Sequence, residues 1–374
     1  MTQINDRLIA LDTFRGLTIA LMILVNNPGT WSHIYSPLRH AKWHGCTLTD
    51  LVFPFFLFII GVSMRFSFEK YDMCKYGPLF KKVLSRTVTI FIFGLLLNAF
   101  PFVRQNWDWT TFRILGVLQR IALAYFIASF IVVRIDIKGL VKLSFGLLLI
   151  YWLLLIGYGW YSGTDPYALE SNFVLVIDQF ILGDSHLWGG NGIQFDPEGL
   201  LSTLPAVVTI LIGFLAGTMI KTTEDQKDNV QRMAVLGALL IVLGWTWGFW
   251  FPINKALWTS SYVLYTGGIA ILVLVGMLWI IDIKQFNGWT KPFVIFGSNS
   301  IFLFVASGLW AKTLLIINFD LNGKMISGYS YLYQTIFQPL AGDINGSLLF
   351  ALFHVLMFWL ILSWMYKKRI FIKV

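Results

Sequence analysis

The sequence predicts an all-α, polytopic membrane protein. Of its 374 residues, 57% are hydrophobic and only 13% are charged, and the mean hydropathy is +0.71. A soluble domain is usually about half apolar and about a quarter charged. The low charge content therefore excludes a disordered chain, a nucleic-acid-binding arm and nearly every water-soluble fold.

About ten apolar segments are long enough to cross a bilayer, since a spanning helix needs about 20 residues. Runs such as IFIFGLLLNAF lack the strict alternation of barrel strands, so helices are favoured. No soluble domain is visible, and we expect one transmembrane domain, 1–374, with a long extracytoplasmic loop at about 161–198. The predicted spans are 8–27, 49–68, 79–100, 113–133, 139–160, 199–220, 231–251, 259–281, 292–315 and 347–366.

The basic residues predict the orientation of the chain. If the N-terminus lies inside, Lys and Arg favour the cytoplasmic side roughly three to one, as the positive-inside rule requires. An even number of spans returns the basic segment YKKRIFIKV to the same side, so both termini are expected to be cytoplasmic. The first segment lacks a small-residue cleavage site, and we interpret it as a span rather than a removable signal peptide.

The connection between the first two spans carries the most informative polar residues. The first helix is expected to end near Asn26, where the run NNPG gives a stop signal, and Asp50 lies near the start of the second. A histidine in this loop, His40, suits general base chemistry at the lip of the membrane. His40 and His44 are four residues apart, but the sequence has no HExxH motif, so we predict no metal site.

A basic group is predicted at the cytoplasmic ends of the spans. Asp12 and Arg15 can pair on one helical face, and the surrounding cations are typical of topology and contact with anionic lipid. The alternative is a site for the phosphates of a nucleotide-bearing cofactor. Asn299, between two serines in the ninth span, either packs helices or lines a passage. The predicted cofactor-binding set is Arg15, Arg65, Lys81, Lys82, Arg86 and Asn299.

Polar residues of the outer half predict a substrate site. Arg120 lies within the fourth span and needs a partner, which Asp50, Asp178 or Asp196 could supply. The loop at 161–198 has six acidic residues and no Lys or Arg. Their negative charge either keeps the loop solvated or attracts a cationic acceptor such as an amine. The predicted substrate-binding set is Arg120, Asp178, Asp196, Glu198, Asn254, Lys255 and Trp258.

An ordered set of motifs extends over nearly the whole chain. The set comprises DTFRG, RHAKWHG, TDLVFPFFLFIIG, GVLQR, FDPEGLLST, FPINKALWTSSYV, NSI and KKRIF. Each motif is weak alone, but together they resemble the heparan-α-glucosaminide N-acetyltransferase family, in the form of a bacterial membrane acyltransferase. The resemblance implies that His40 is the active-site histidine and that Asn26 is the asparagine after the first helix. The sequence departs from the family pattern at His44, where the animal enzyme has Asn.

The resemblance also implies an acetyl-CoA-dependent N-acetyltransferase. The acetyl group of cytosolic acetyl-CoA would reach the amine of a glucosamine-type sugar across a membrane, here the bacterial inner membrane. His40 would deprotonate the amine or carry the acetyl group briefly, with Asp50 orienting it and Asn26 or Arg120 stabilising the oxyanion. The expected partners are acetyl-CoA, an amino sugar or glycan acceptor and membrane lipid, with no nucleic acid, and a homodimer is left open.

Two other functions are compatible with the sequence. About ten helices, buried charge and an acidic outer loop also suit an amino-sugar transporter, although no internal repeat is evident. An O-acyltransferase of a cell-envelope glycan would use the same histidine on a hydroxyl acceptor. The identity of the acceptor and the length of the acyl chain are left open by the residues.

Overall fold

The computed structural model describes residues 8–69, 71, 76–102, 108–190, 192–223 and 225–372. Five basic residues that enter the predicted orientation, Arg7, Lys70, Lys75, Arg104 and Lys373, lie outside the described residues. Nearly all regular structure in the described part is helical, which confirms the all-α prediction. A two-stranded antiparallel hairpin, with Asn318 paired to Ser327, is the exception there.

The helices follow the apolar segments closely. They are α1 (Ile9–Asn26), α2 (Val52–Phe68), α3 (Tyr76–Ala99), α4 (Val117–Arg134), α5 (Ile137–Ser162), α6 (Phe173–Leu182), α7 (Thr203–Thr222), α8 (Gln226–Trp247), α9 (Ser260–Met277), α10 (Lys291–Ser298), α11 (Ser300–Ile316), α12 (Gly328–Leu332) and α13 (Gln338–Lys367). The hairpin strands are β1 (Asn318–Leu321) and β2 (Lys324–Ser327). Short 3₁₀ turns lie at Ser36–Leu38, Thr49–Leu51, Trp109–Thr111 and Asp184–His186, and π-helical turns at Leu278–Ile283 and Tyr333–Phe337.

Eight helices in the described part of the chain have the length and hydropathy of a membrane span. They are α1, α2 with its preceding turn, α4, α5, α7, α8, α9 with its π-helical end, and the helix Gly328–Lys367. α10 and α11 together form a ninth candidate, bent by 78°. These findings confirm a polytopic membrane protein, with eight or nine candidate spans in place of the ten predicted. The remaining predicted segment is α3, and the orientation of the termini stays a prediction.

Two predicted breaks contain more structure than expected. The long loop at about 161–198 holds the apolar helix α6, and the break after α11 holds the hairpin. The last helix begins well before the predicted span and is interrupted at Gly342, whose φ of 75° is non-helical. Phe173 of α6 stacks on Tyr158 of α5, and the two hairpin strands pair with each other. Local hydropathy does not report such contacts.

The core of the bundle lies between α2 and α7. On α7, 78% of the span is buried, against 22% on α8 at the periphery. The two central helices approach closely because each carries a glycine at the contact. A Cβ on Gly61 would lie 2.0 Å from the carbonyl oxygen of Ile210, and one on Gly213 would lie 2.0 Å from that of Phe58. This close contact fixes α2, which directly follows the 3₁₀ turn that carries Asp50.

The bend between α10 and α11 is occupied by the C-terminal segment. Nδ2 of Asn299 donates to the carbonyl oxygen of Ile370 at 3.1 Å, and its Oδ1 accepts the N–H of Ile372 at 2.8 Å. Asn299 is fully buried by these contacts. The cofactor role predicted for Asn299 is therefore not supported, because both ends of its carboxamide hold the chain's own tail.

Candidate active site

The loop between α1 and α2 is folded around the carboxylate of Asp50. Its Oδ1 lies 2.6 Å from Nδ1 of His40, and its Oδ2 accepts the backbone N–H groups of Ala41 and Thr47 at 3.0 Å. The Asp50 side chain is 2% exposed, whereas the His40 side chain is 43% exposed. One buried carboxylate therefore shapes the loop and presents the imidazole at the surface of a cavity.

Lys255 reaches the same pair from the connection between α8 and α9. Its Nζ lies 3.2 Å from Nδ1 of His40 and 3.6 Å from Oδ1 of Asp50. A separation of 2.6 Å between Nδ1 and a carboxylate oxygen places a proton between them, so Nδ1–H donates to Asp50. Nε2 then carries the free lone pair, and no described residue bonds to it. Burial lowers the pKa of Lys255, and the charge of Asp50 opposes this shift.

The two loops that carry His40 and Lys255 are joined by direct contacts. The N–H of Gly45 donates to the carbonyl oxygen of Ile253 at 2.7 Å. Nδ2 of Asn254 lies 3.3 Å from Nδ1 of His44. Gly45 has a φ of 114°, a conformation that favours glycine. The predicted substrate residue Asn254 is thus fully buried and joins the loops instead of facing the cavity.

The cavity beside His40 has a volume of about 310 Å³. Five predicted site residues line it: His40, Asp50, Glu198, Lys255 and Trp258. Trp258 has a φ of 51°, an uncommon backbone conformation for a non-glycine residue, and it forms part of the cavity lining. The complete lining is His40, Ala41, Lys42, Trp43, Asp50, Arg113, Trp188, Pro197, Glu198, Lys255, Ala256 and Trp258.

A charged cluster forms another part of the cavity lining. Asp196 binds Arg113 through two hydrogen bonds of 2.8 Å, to Nε and Nη2, and Glu198 binds the same Nη2 at 2.8 Å. The ring of Trp188 lies 5.7 Å from the guanidinium carbon of Arg113. Asp196 is fully buried and does not reach the cavity, whereas Glu198 and Arg113 line it. Asp196 thus contacts the cavity lining through Arg113, which is not among the predicted site residues, whereas Glu198 lines the cavity itself.

Arg113 and Trp188 are the site residues that sequence reasoning missed. Arg113 stands at the start of the predicted span 113–133 and belongs to none of the predicted site sets. A basic residue on the predicted outer side, against the positive-inside tendency, was the signal that could have identified it. No comparable signal distinguishes Trp188, since the chain has 16 tryptophans.

Arg120 lies behind the cavity and has a different partner from those predicted. Its Nη2 donates to the carbonyl oxygen of Gly199 at 3.1 Å and to the hydroxyl of Ser202, and its guanidinium stacks on Trp258 at 5.2 Å. In the described residues it makes no ion pair with Asp50, Asp178 or Asp196. None of the three predicted carboxylates is therefore a direct partner, because the turn after Glu198 supplies the oxygens that contact the buried guanidinium.

Asp178 lies outside the cavity and holds the same turn from the other side. Its Oδ1 accepts the N–H of Leu200 at 2.9 Å and, more weakly, that of Leu201 at 3.4 Å. Burial raises the pKa of Asp178 to about 6, and the two backbone N–H groups and Arg120 oppose this shift. Asp178 and Arg120 are therefore supports of the loop that carries Glu198, not part of the cavity lining.

Asn26 is exposed at the end of α1 and does not line the cavity. The neighbouring Asn27 is buried and donates to the carbonyl oxygen of Ile23 at 2.8 Å. Neither amide reaches the described lining. The catalytic role of Asn26 stays a prediction that the geometry does not support.

The predicted basic group lies far from the cavity. Arg65 is fifteen residues after Asp50, about 22 Å along α2 at 1.5 Å per residue. Arg15 binds Asp12 at 2.9 Å and Ser63 at 2.7 Å, which places it at the same end of α2. The cations of α3 contact tyrosines: Lys82 lies 5.0 Å from the ring of Tyr71, and Arg86 lies 5.1 Å from that of Tyr125, while Lys81 is exposed. None of this group lines the cavity.

The described residues favour neither a cysteine nucleophile nor a cluster of metal-binding side chains. Burial, reinforced by Asp50, raises the pKa of Cys46 to about 12, so this thiol stays protonated and is a poor nucleophile. In the part of the chain that the structure describes, no group of three or more His, Cys, Asp or Glu side chains is arranged to hold a metal ion. The imidazole of His40 is therefore the basic group best placed for chemistry.

Comparison with known proteins identifies relatives of the chain. The family model described as heparan-alpha-glucosaminide N-acetyltransferase, catalytic, matches residues 7–246. Heparan-alpha-glucosaminide N-acetyltransferase of Mus musculus is 30% identical over 353 residues, and that of Homo sapiens is 28% identical over 358. The alignments cover 80% and 82% of this chain and 53% of each relative. The chain thus spans about half the length of the curated relatives it matches.

Proposed function

The chain belongs to the heparan-alpha-glucosaminide N-acetyltransferase catalytic family, and we propose that it transfers an acetyl group from acetyl-CoA to the amine of an amino sugar. The observation that carries the proposal is the His40–Asp50 hydrogen bond of 2.6 Å at the edge of a cavity of about 310 Å³. His40 and Asp50 both lie within the residues matched to the family.

The acceptor reacts as its free amine, because an ammonium group has no lone pair for attack, and its nitrogen must lose one further proton as the amide forms, which requires a base. In the proposed reaction, Nε2 of His40 takes a proton from the amine as its nitrogen bonds to the acetyl carbon. The carbon–sulfur bond of the thioester then breaks, and the same proton passes from His40 to the CoA thiolate. Asp50 accepts the Nδ1–H throughout, which fixes the tautomer with a basic Nε2 and stabilises the imidazolium.

A two-step route uses the same residues. Nε2 of His40 would attack the thioester and the carbon–sulfur bond would break, which releases CoA as the thiolate and leaves an acetylated imidazolium whose Nδ1–H stays on Asp50. The amine would then take the acetyl group and restore the neutral imidazole, and the proton that the amine loses would neutralise the thiolate. In both routes the oxygen of the acetyl group gains negative charge. We assign the stabilisation of that charge to the ammonium of Lys255, which lies 3.2 Å from His40 and lines the cavity. This assignment replaces Asn26 and Arg120, which do not line it.

We propose that acetyl-CoA is supplied from the cytoplasmic side, with its phosphates at Arg15, Arg65, Lys81, Lys82 and Arg86. The support is the clustering of these cations at the end of the bundle away from His40. The described cavity does not extend to them and has Trp258 in its lining. Delivery from that side therefore requires the helices near Trp258 to separate, so that the pantetheine arm reaches His40 from within the bundle.

The acetyltransferase activity is tested with purified protein, labelled acetyl-CoA and two acceptors. We expect glucosamine to be acetylated and N-acetylglucosamine, whose amine is blocked, to be inert. His40→Ala should lower turnover at least about a hundredfold, the usual contribution of a general base. Labelling of the blocked sugar would instead indicate an O-acyltransferase. A folded His40→Ala variant with full turnover would remove His40 from the reaction.

A further inference from the structure

The acetyl transfer described above leaves part of the cavity unexplained. Arg113, Trp188 and Glu198, here called the Arg113 wall, line the same cavity as His40 but contact neither His40 nor Asp50. Charged groups are costly to bury, and Arg113 of this wall pairs with two carboxylates, that of Glu198 in the wall and that of Asp196 behind it. Such an arrangement needs an explanation beyond the chemistry of the acetyl group.

Asp196 holds two residues of the wall, Arg113 and Glu198, in place. Asp196 uses both carboxylate oxygens on Arg113, and its Oδ1 also accepts the backbone N–H of Glu198 at 3.0 Å. Arg113 and Glu198 are therefore held by one buried carboxylate as well as by each other. Groups that are fixed in this way lose little entropy when they bind a ligand.

Two more buried charges fix the turn that follows Glu198. Arg120 donates to the carbonyl oxygen of Gly199, and Asp178 accepts the N–H of Leu200. Gly199 passes so close to Asp178 that an added Cβ would lie 1.7 Å from its carboxylate oxygen. The backbone after Glu198 is thus held from two sides, and the position of the Glu198 side chain is well defined.

The wall keeps free hydrogen-bonding capacity toward the cavity. Glu198 uses Oε2 on Arg113, and no described residue donates to its Oε1. Arg113 uses Nε and Nη2, and no described residue accepts from its Nη1. Trp188 adds an indole ring that is 37% exposed. The wall therefore offers one acceptor, one donor group and one aromatic face.

These three features select a class of ligand. A hydroxyl group both donates and accepts, so two neighbouring hydroxyls can satisfy Oε1 and Nη1 together. A free carboxylate on the ligand would meet Glu198, and a second cation would meet Arg113, so neutral groups are favoured. The apolar C–H face of a pyranose ring matches the indole of Trp188.

We propose that the Arg113 wall is the acceptor subsite and that it binds two neighbouring hydroxyls of a pyranose ring stacked on Trp188. This inference rests on the proposed function, because the bound sugar would place its amine toward His40. It makes Glu198 and Trp188 determinants of specificity: they distinguish an amino sugar from other primary amines.

The test compares two acceptors that differ in their hydroxyls. Methyl glucosaminide carries a pyranose ring with hydroxyls, and cyclohexylamine carries a six-membered ring and a primary amine only. For each acceptor, kcat/KM of a variant is divided by that of the wild type, which cancels the difference in amine basicity. Glu198→Gln and Trp188→Leu are the variants, and Glu170→Gln, an exposed acid of the same loop, is the matched control.

We expect Glu198→Gln and Trp188→Leu to lower the kcat/KM ratio for methyl glucosaminide about tenfold or more and to leave that for cyclohexylamine within about twofold. The reason is that a site built to hydrogen-bond the hydroxyls of a substrate discriminates strongly between that substrate and an amine without hydroxyls. Glu170→Gln should change neither ratio. An equal fall for both acceptors would show that the wall is only structural, and no fall for either would exclude it from recognition. A wild-type protein that acetylates neither amine would instead count against the proposed function itself.

Discussion

Asp50 shows how one side chain assembles the candidate site at the scale of single residues. Its two carboxylate oxygens bind His40 and two backbone N–H groups of the loop, and its own carbonyl oxygen accepts the hydroxyl of Tyr262 at 2.5 Å. Every one of these bonds is between groups buried or half-buried, where an unpaired partner is costly. The orientation of the imidazole is therefore a consequence of how the loop satisfies its backbone.

Lys255 gives a prediction about pH. Burial lowers the pKa of Lys255, so the ammonium that we assign to the acetyl oxygen loses its proton as the pH rises. We expect kcat of the wild type to fall on the alkaline side of its optimum. Lys255→Met should lower kcat at the optimum about a hundredfold and should lack this alkaline fall, because the charge is already absent.

The matched control for Lys255 is Arg39→Met. Arg39 precedes His40 in the chain, is exposed, and has no described side-chain contact. Removing its charge should leave kcat at the optimum and the alkaline fall as they are in the wild type, since solvent screens an exposed charge. If both variants lower kcat equally, or if Lys255→Met keeps the kcat and the alkaline fall of the wild type, the role of Lys255 in stabilising the acetyl oxygen is wrong.

At the scale of helices, the close contact between α2 and α7 positions the turn that carries Asp50. Gly213→Ala would place a methyl group against the carbonyl oxygen of Phe58, and the helices would have to separate. Overpacking of this kind costs about 1–3 kcal/mol. We expect a lower Tm in detergent and a loss of activity, because the turn that carries Asp50 leads directly into α2.

Gly276→Ala in α9 is the control for that substitution, since no atom lies within 4 Å of the added Cβ. Alanine is the better helix former by about 1 kcal/mol, so its Tm should stay level or rise. Equal Tm values for Gly213→Ala and the wild type would show that the two helices are not in close contact.

At the scale of the whole molecule, the separation of the basic group from His40 leads to a prediction about sidedness. In sealed vesicles of known orientation, acetyl-CoA supplied only at the face that carries Lys81 and Lys82 should acetylate glucosamine enclosed on the other face. Permeabilised vesicles supply the control for total activity. Transfer that requires donor and acceptor on one face would exclude the transmembrane arrangement while leaving the acetyltransferase function intact.

The sequence by itself determined the class of fold and most of the spans, and it predicted that Asp50 orients His40. Spans are local features, because each must be about 20 apolar residues long and must satisfy its own backbone. His40 and Asp50 are ten residues apart, so the short loop limits how far they can separate. The family resemblance, carried by ordered motifs, is confirmed by the match over residues 7–246.

Only the tertiary structure decided which distant groups meet. Arg113 pairs with Asp196 and Glu198 across 83 and 85 residues, and Lys255 reaches His40 across 215. In the same packed structure, Arg120 donates to the backbone carbonyl of Gly199, and Asn299 donates to the C-terminal segment at Ile370. The composition of the sequence and the spacing of its residues show that a buried polar group needs a partner. The choice among chemically equivalent partners depends on how the helices pack, and no local pattern of residues records that packing.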